Sequence, residues 1–398
     1  MQSPIAPNKT IAFVSNSSWS VFNFRLDVIR WLLKRDVKVL VFAPSDDYAP
    51  RLVAAGCQFI EIDFNNKGEN PLKDYIFYRN LRKLYRQYRP DFIFHYVAKP
   101  NIYGSLAAAA EKIPSVAVIT GLGYPFAKRN ALFLIIRSLY KKALRHASEV
   151  WFLNNEDAKV FITEKIVPIS KMKVLPGEGV NTKHFAPSGE ENNGEPFHFL
   201  MSTRLLKSKG IGLYADAARI LKKKNYNVSF SLIGFFEKNH PDSISHDDLN
   251  KWEKEGLISY LGFADDVRPF LQKANCIVFP SFYNEGVPRC LMEAASMEKP
   301  AITSFNRGCK EVVLNNSNGY ICNLNDPFDL ADKMEKMLNA PPEERQRMGR
   351  NGRQLVLKKF DICKIIEEYS NTLISAFENH YGSNSQYGRA AEDYRGRI

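Results

Sequence analysis

Apolar and polar positions recur along the chain in two alternating patterns. "TIAFVSN" (10–16) is a short apolar run closed by turn formers, and "FNFRLDVIRWLLKRD" (22–36) follows with apolar residues at helical spacing. "VKVLVFAP" (37–44) is a second buried-strand pattern. The alternation continues through "QFIEIDF", a helical "DYIFYRNLRKLYRQY", "DFIFHYV", the small-residue helix "GSLAAAAEK", "SVAVIT", a helical stretch from about 130 to 146, and "EVWFLNN". Strand and helix in turn over roughly 150 residues predict a doubly wound parallel sheet.

A polar segment, "APSGEENNGEP" (186–196), interrupts the pattern and reads as a linker. The alternation then restarts with "FHFLMS", a helix over 211–223, "NVSFSLIG", "ISYLG", a helix over 266–273, "CIVFPS", a helix over 288–297, "PAITS", "GYICN" and helices near 327–339 and 343–358. The expected architecture is α/β: two Rossmann-like domains, residues 1–187 and 188–360, facing a central cleft onto which the carboxyl ends of both sheets open. A helix over 361–380 is expected to pack back toward the first domain. The polar end, 381–398, has too little apolar content to fold and reads as a disordered tail.

Composition adds few constraints. The chain has 398 residues, 45% of them hydrophobic, enough for sizeable cores. Apolar runs fall far short of the ~20 residues that span a bilayer, and the first 30 residues lack the segments of a secretory signal, so the chain reads as cytoplasmic. Six cysteines are scattered without a C-x-x-C pair, which argues against a metal knuckle or a disulfide framework.

Charge changes the picture more. The net +12 is carried by the first half, with 27 Lys and Arg against 15 Asp and Glu up to Lys183, and 28 against 28 beyond it. "YRNLRKLYRQYR" (78–89) and residues 112–148 concentrate the excess. A solvated basic face, an anionic membrane surface and nucleic acid are the three readings of such asymmetry.

Two stretches of the second half carry candidate chemistry. In "FLMSTRLLKSKG" (199–210) a strand is followed by Arg204 and Lys209 in a tight loop, then a glycine and a helix, an arrangement suited to a diphosphate. In "NEGVPRCLMEAASMEKP" (284–300), Glu285 falls in a turn and Pro288 suits the first turn of a helix. Glu293 then lies ~7–8 Å along that helix, so the two carboxylates do not form one close pair. They suit opposite ends of an elongated ligand, with Gly286 and Val287 N–H groups and the helix dipole between them for an anion. Read as an isolated E-x7-E, the same residues are a loop charge and a helix-surface charge.

Taken in order, "STRLLKSKG", "YLGFADDV" (260–267), "VFPSFYNEGVPRCLMEAASMEKPAITS" (278–304) and "GCKEVVLNNSNGYIC" (308–322) resemble the donor domain of retaining glycosyltransferases of family 4, which have the GT-B fold. The first domain is similar more loosely, through "FVSNSSWSVFNFR", "DFIFHYVAKPNIYGSLAAAA" and "VITGLGYPF". The wording resembles bacterial enzymes that build capsule or O-antigen glycans on polyprenyl-diphosphate carriers.

The resemblance implies roles. Glu293 would hold the ribose hydroxyls and Glu285 the donor sugar, while Arg204 and Lys209 neutralise the diphosphate as the glycosidic bond breaks. Gly262 and Phe263 would lie near the base, with Gly286, Val287 and Pro288 at the phosphates. The leaving phosphate would take the proton of the incoming hydroxyl, and no protein nucleophile is required. Many relatives have a histidine where this chain has Thr120, a candidate contact to the donor sugar. Many also have glycines in the first loop, where "SNSSWS" offers Asn16 and Ser17 instead. His95 ends "DFIF" and is either a cleft residue or a satisfied structural histidine.

The implied substrates are a nucleotide sugar, UDP-hexose or UDP-N-acetylhexosamine, and a lipid-linked or oligosaccharide acceptor. No cofactor is required and no metal is expected, since no Asp-x-Asp occurs. On this reading the basic first domain serves an anionic membrane, with the enzyme peripheral at its inner face. Within 130–146, Arg137, Lys141 and Arg145 recur every four residues opposite Leu132, Phe133, Ile136, Leu139, Tyr140 and Ala143, as in an interfacial helix or a core-packing one. An NAD-dependent enzyme lacks its G-x-G-x-x-G, and a nucleic-acid-binding protein its module. A glycoside hydrolase would need its two carboxylates about one bond.

Overall fold

The computed structural model describes residues 8–64, 70–122, 126, 130–188, 196–237, 240–283 and 285–381. The expected tail beyond 381 and most of the polar segment at 186–196 lie outside them.

The chain divides into two units, one made of residues up to Leu175 together with those from Cys363 on, the other of Pro176–Ile362. In the first, strands β1 (Thr10–Val14), β2 (Lys38–Ala43), β3 (Gln58–Glu61), β4 (Phe92–Tyr96), β5 (Ser115–Ile119), β6 (Glu149–Phe152) and β7 (Met172–Val174) form a parallel sheet in the order β3-β2-β1-β4-β5-β6-β7. In the second, β8 (Phe197–Ser202), β9 (Val228–Ile233), β10 (Ser259–Tyr260), β11 (Cys276–Phe279), β12 (Ala301–Ser304) and β13 (Gly319–Cys322) run β10-β9-β8-β11-β12-β13, again parallel. Helices cover both faces of such sheets, which is why the strands read as unbroken apolar runs. The central strands "FIFHY" and "SVAVI" are buried at every position.

The division falls at Leu175, ahead of the boundary at 187 that the polar segment suggested. Residues 176–187 have no regular element, yet they pack on the second unit. Val180 donates its N–H to the carbonyl of Phe360 (2.9 Å) and accepts from Ile362 (2.9 Å), while Thr182 bonds the Asp361 carboxylate. Phe185 is buried with Leu200 and Leu291. A partly buried segment without periodicity leaves no hydrophobic pattern to read.

The helix Ile362–Tyr381 leaves the second unit and packs on the first sheet. The Tyr369 ring lies tilted against Phe94 at 4.7 Å and edge-on to Trp151 at 4.8 Å, its hydroxyl lies 2.7 Å from that of Tyr96, and Phe377 meets Phe92 edge-on. Among the described residues, no helix is long and apolar enough to cross a membrane.

Candidate functional site

Strand order reverses between β8 and β11 in the second unit, and loops at such a switch point are where open α/β sheets bind ligands. Arg204 and Lys209 follow β8, and Glu285 follows β11. The sheet therefore brings side by side residues some 80 positions apart in sequence.

The Lys209 turn is held from two sides. Gly210 has φ 83°, a left-handed backbone, and a Cβ there would also overlap the carbonyl oxygen of Pro280. From the other side the segment 242–244 lies antiparallel to 205–208. Ile244 donates to the Leu205 carbonyl (3.0 Å), Lys207 to the Asp242 carbonyl (2.7 Å), and the Ser208 N–H and hydroxyl to the Asp242 carboxylate. The Ser208 carbonyl in turn accepts from the N–H groups of Phe282 (3.0 Å) and Tyr283 (3.2 Å). Ser208 thus ties the loop carrying Lys209 to the loop carrying Glu285.

The two side chains meet. Lys209 Nζ lies 2.5 Å from Glu285 Oε1, with side-chain exposures of 7% and 11%, and the Ser281 hydroxyl donates to the same oxygen at 2.6 Å. The ammonium also sits 5.0 Å from the centre of the Tyr283 ring and 5.8 Å from that of Phe279. Asn306 donates to the carbonyls of Ser281 and Tyr283, and the Ser304 hydroxyl to Ser281. Gly308 closes the arrangement: a Cβ there would overlap the Gly286 carbonyl oxygen and stand 3.0 Å from that of Glu285.

The helix after this loop runs Arg289–Ser296, one residue shorter at its start than the proline suggested. Pro288 has φ −65° but ψ 122°, so it is the extended cap and lies ahead of the first turn. Gly286 and Val287 accordingly belong to the approach loop, and the Val287 side chain is buried against Gly177. The dipole end is formed by the first turn, Arg289–Leu291. Glu293 faces back along the helix and accepts from Arg289 Nε at 2.8 Å. Burial raises its pKa above the ordinary carboxylate value, the Arg289 charge opposes this, and the Asp266 charge adds to it. Glu285 and Glu293 thus have different cations and different surroundings.

Arg204 does not join Lys209. Its Nη1 lies 2.7 Å from Glu237 Oε2, both side chains 37% exposed. The loop of Gly262 is tied to the end of β9, since Gly234 donates to the Gly262 carbonyl (2.9 Å) and Gly262 has φ 78°. Phe263 is exposed, with its ring edge-on to Phe235 at 5.7 Å. Phe235 accepts from the N–H of Leu205, so this loop and the Arg204 loop share an anchor.

In the first unit, Asn16 and Ser17 follow β1 at its switch point with β4, and Thr120 follows β5. Ser17 caps the helix Ser18–Leu33, accepting from the Ser20 N–H at 3.2 Å. His95 is a core residue: it is fully buried, Nε2 lies 3.0 Å from the Tyr85 hydroxyl, and burial lowers its pKa to about 3. Gly104 exists for it, because a Cβ there would stand 2.5 Å from the imidazole.

The basic stretch at 130–146 becomes the helix Ala131–Leu144, capped by Asn130. Arg137 leaves the expected basic face, since it bonds the Glu164 carbonyl (2.7 Å) and carboxylate (3.1 Å). Phe133, Tyr140, Ala143 and Leu144 are buried. Leu134 and Ile135, however, are exposed, as are Lys141, Lys142 and Arg145.

Sequence reasoning missed Ser281, Glu237, Asp242, Arg289, Asn306 and Gly308. Glu237, Asp242, Asn306 and Gly308 act through partners on other loops, whereas Ser281 with Glu285 and Arg289 with Glu293 are local pairs four residues apart. The polar run "EKNHPDS" after β9 is the visible trace of Glu237 and Asp242. Among the described residues, no three of His, Cys, Asp or Glu stand close enough to hold a metal ion.

Comparison with known proteins gives this geometry a family. Residues 183–355 match the model for "Glycosyl transferases group 1", and residues 10–154 that for "Glycosyl transferase 4-like". The chain is 30% identical over 378 residues to N,N'-diacetylbacillosaminyl-diphospho-undecaprenol alpha-1,3-N-acetylgalactosaminyltransferase of Campylobacter jejuni, covering 90% of this chain and 96% of that one. It is 26% identical over 319 residues to an Escherichia coli UDP-Gal:alpha-D-GlcNAc-diphosphoundecaprenol alpha-1,3-galactosyltransferase, covering 75% and 79%. Among solved structures, a glycosyltransferase of Rickettsia africae superimposes with TM-score 0.78 at 17% identity, over 94% of this chain and 100% of that one. Anabaena HepE in complex with UDP and glucose gives 0.76 at 19%, over 92% and 99%. The similarity spans nearly the whole of the Campylobacter enzyme and takes in both units in chain order, and the chain belongs to the family 4 glycosyltransferases, with the GT-B fold.

Proposed function

We propose that this glycosyltransferase takes its sugar from a UDP-sugar and transfers it, with retention of anomeric configuration, to a polyprenyl-diphosphate-linked acceptor in bacterial surface polysaccharide biosynthesis. The observation that carries the reading is the Lys209–Glu285 pair at the β8/β11 switch point, beside the start of the Arg289–Ser296 helix. A nearly buried cation at a switch point, with a helix start a few residues after Glu285, supports a site for the donor's diphosphate. The names of the Campylobacter and Escherichia relatives, and the UDP complex of the Anabaena protein, support the substrate classes.

In the proposed reaction the bond from the sugar's C1 to the diphosphate oxygen breaks. The acceptor oxygen bonds C1 on the same face, and its proton passes to the leaving phosphate. Arg204 and Lys209 stabilise the charge growing on that phosphate, where fixed cations contribute most. Glu285 orients the sugar, and Glu293 accepts hydrogen bonds from the ribose hydroxyls. Gly262 and Phe263 border the base, and Gly286, Val287 and Pro288 the phosphates.

The test is incubation with a panel of UDP-, GDP- and ADP-sugars and synthetic polyprenyl-diphosphate monosaccharides, followed by mass spectrometry and NMR of the product. One UDP-sugar should be consumed, with the donor's anomeric configuration kept. Inversion ends the retaining mechanism, and preference for another nucleotide ends the UDP assignment.

A peripheral position at the inner face of the cytoplasmic membrane is favoured by a second observation. Leu134 and Ile135 stand exposed on one helix, and Leu72, Tyr75 and Ile76 on the helix Pro71–Tyr88, with Lys73, Arg79, Lys141 and Lys142 also exposed. Both helices pack against Pro100–Gly104. Exposed apolar residues and cations on the same two helices suit an anionic lipid surface. Sedimentation with anionic liposomes at low salt, lost in L134E/I135E, is expected; a wild-type protein that stays in the supernatant ends the idea.

A further inference from the structure

Three charges of the candidate donor site have partners within the protein itself: Lys209 with Glu285, Arg289 with Glu293, and Arg204 with Glu237. The pairs differ in how readily they exchange. The Lys209–Glu285 pair is nearly buried, and Ser281 holds the same carboxylate oxygen, so separating it strands a desolvated charge. The Arg289–Glu293 pair joins successive turns of one helix. Arg204 and Glu237 are each about one-third exposed, so water screens the pair and re-solvates either partner when they part.

The position of Glu237 is set by the fold. Its carbonyl accepts from the Ser243 hydroxyl (2.9 Å) and the His240 N–H (3.2 Å), within the segment whose Asp242 braces the Lys209 turn. The carboxylate that neutralises Arg204 therefore comes from the strap that aligns Lys209. A diphosphate carries more charge than one carboxylate and offers paired oxygens to a guanidinium fork.

We propose that Glu237 is a built-in competitor of the donor's diphosphate: it holds Arg204 until the diphosphate takes its place, and recaptures Arg204 as the nucleoside diphosphate leaves. This rests on the reading of Arg204 as a diphosphate ligand given above. Glu237 acts through Arg204 and so is a positioning residue, one that weakens nucleotide binding in exchange for release. No bond is made or broken in the exchange.

The test is titration of UDP into wild type, E237Q, R204A and the double variant, with thermal melting of each as a check on folding. Removing an exposed competitor of this kind is worth about two- to fivefold. E237Q should bind UDP tighter by that factor, show a lower donor KM and be inhibited more strongly by product UDP. The gain should vanish when R204A is added. Damage to the fold weakens binding, so a gain in affinity separates competition from a structural role. Equal or weaker UDP affinity in E237Q, with R204A weakened, overturns the competitor and leaves the donor-site reading standing. Equal UDP affinity in wild type and R204A overturns both.

Discussion

Gly308 offers the sharpest test of how the Glu285 loop is held. Replacing it with alanine adds one carbon, and that carbon overlaps the Gly286 carbonyl oxygen while standing 3.0 Å from that of Glu285. Neither neighbour is a flexible side-chain end. The Glu285 segment is tied to Ser208 and Asn306 through the backbone of Ser281–Tyr283. Relief of the overlap requires a displacement on the order of 1–2 Å, and it falls on the loop between Glu285 and the start of the Arg289–Ser296 helix. A misplacement of ~1 Å at a reacting centre costs on the order of 100-fold in rate. Overpacking of this kind destabilises by about 1–3 kcal/mol. Gly308→Ala should therefore lower kcat with a UDP-sugar about 100-fold or more and shift the melting temperature down by a few degrees. Gly212→Ala is the control. Gly212 lies in the helix Ile211–Lys223 with open space around its would-be Cβ, and alanine there should leave activity unchanged and stability equal or higher by up to ~1 kcal/mol. If Gly308→Ala turns over donor within twofold of wild type at an unchanged melting temperature, the close approach does not hold the loop and the reasoning fails.

Three further outcomes are expected. Burial raises the Glu293 pKa in the folded chain, so the stability linked to its protonation is full below the ordinary value of 4.5 and is lost as pH rises through the folded value. UDP affinity should move the opposite way, weakening as pH falls through that value, and Glu293→Gln should flatten both profiles in calorimetry while costing roughly 10- to 100-fold in affinity. His95 has its pKa lowered from 6.5 to about 3, so it contributes stability above pH 6.5 that is lost as pH falls, with a limiting slope of about 1.4 kcal/mol per pH unit. Urea midpoints measured from pH 7 to pH 4 should show it in wild type and not in His95→Gln. For the buried pair, Lys209→Met and Glu285→Gln should each destabilise by about 3 kcal/mol or less, and the double variant by clearly less than their sum. Additive losses in a denaturant cycle would show that the two side chains are not coupled.

The two sheets were legible in the sequence because parallel strands buried on both faces leave unbroken apolar runs, as in "VKVLVFAP" and "CIVFPS". Family-specific motifs single out Lys209, Glu285 and Glu293, and the structure brings the first two together. What stayed hidden depends on contacts between loops. Nothing near position 237 announces that it meets Arg204, and nothing near 308 that it lies beneath 286. Arg137 read as a surface cation because its period matched Lys141 and Arg145, but its partner, Glu164, lies on another element. His95 could not be assigned from position alone. A strand end near a switch point suits a ligand contact as well as a core residue, and the Tyr85 hydroxyl and the bare Gly104 backbone decide between them.

The helix Ile362–Tyr381 gives the chain an order of assembly. The first sheet leaves the ribosome early, but Tyr369 and Phe377, which cover Phe94, Trp151 and Phe92, are made only after the whole second unit. At about 5–20 residues per second, the nascent first unit waits roughly 10–40 s with one aromatic face uncovered. The second unit, an unbroken run from Pro176 to Ile362, is complete before the first. A ribosome that stalls or a message cut short between codons 363 and 368 thus releases a chain whose later half is whole and whose earlier half is the part exposed to aggregation and proteolysis.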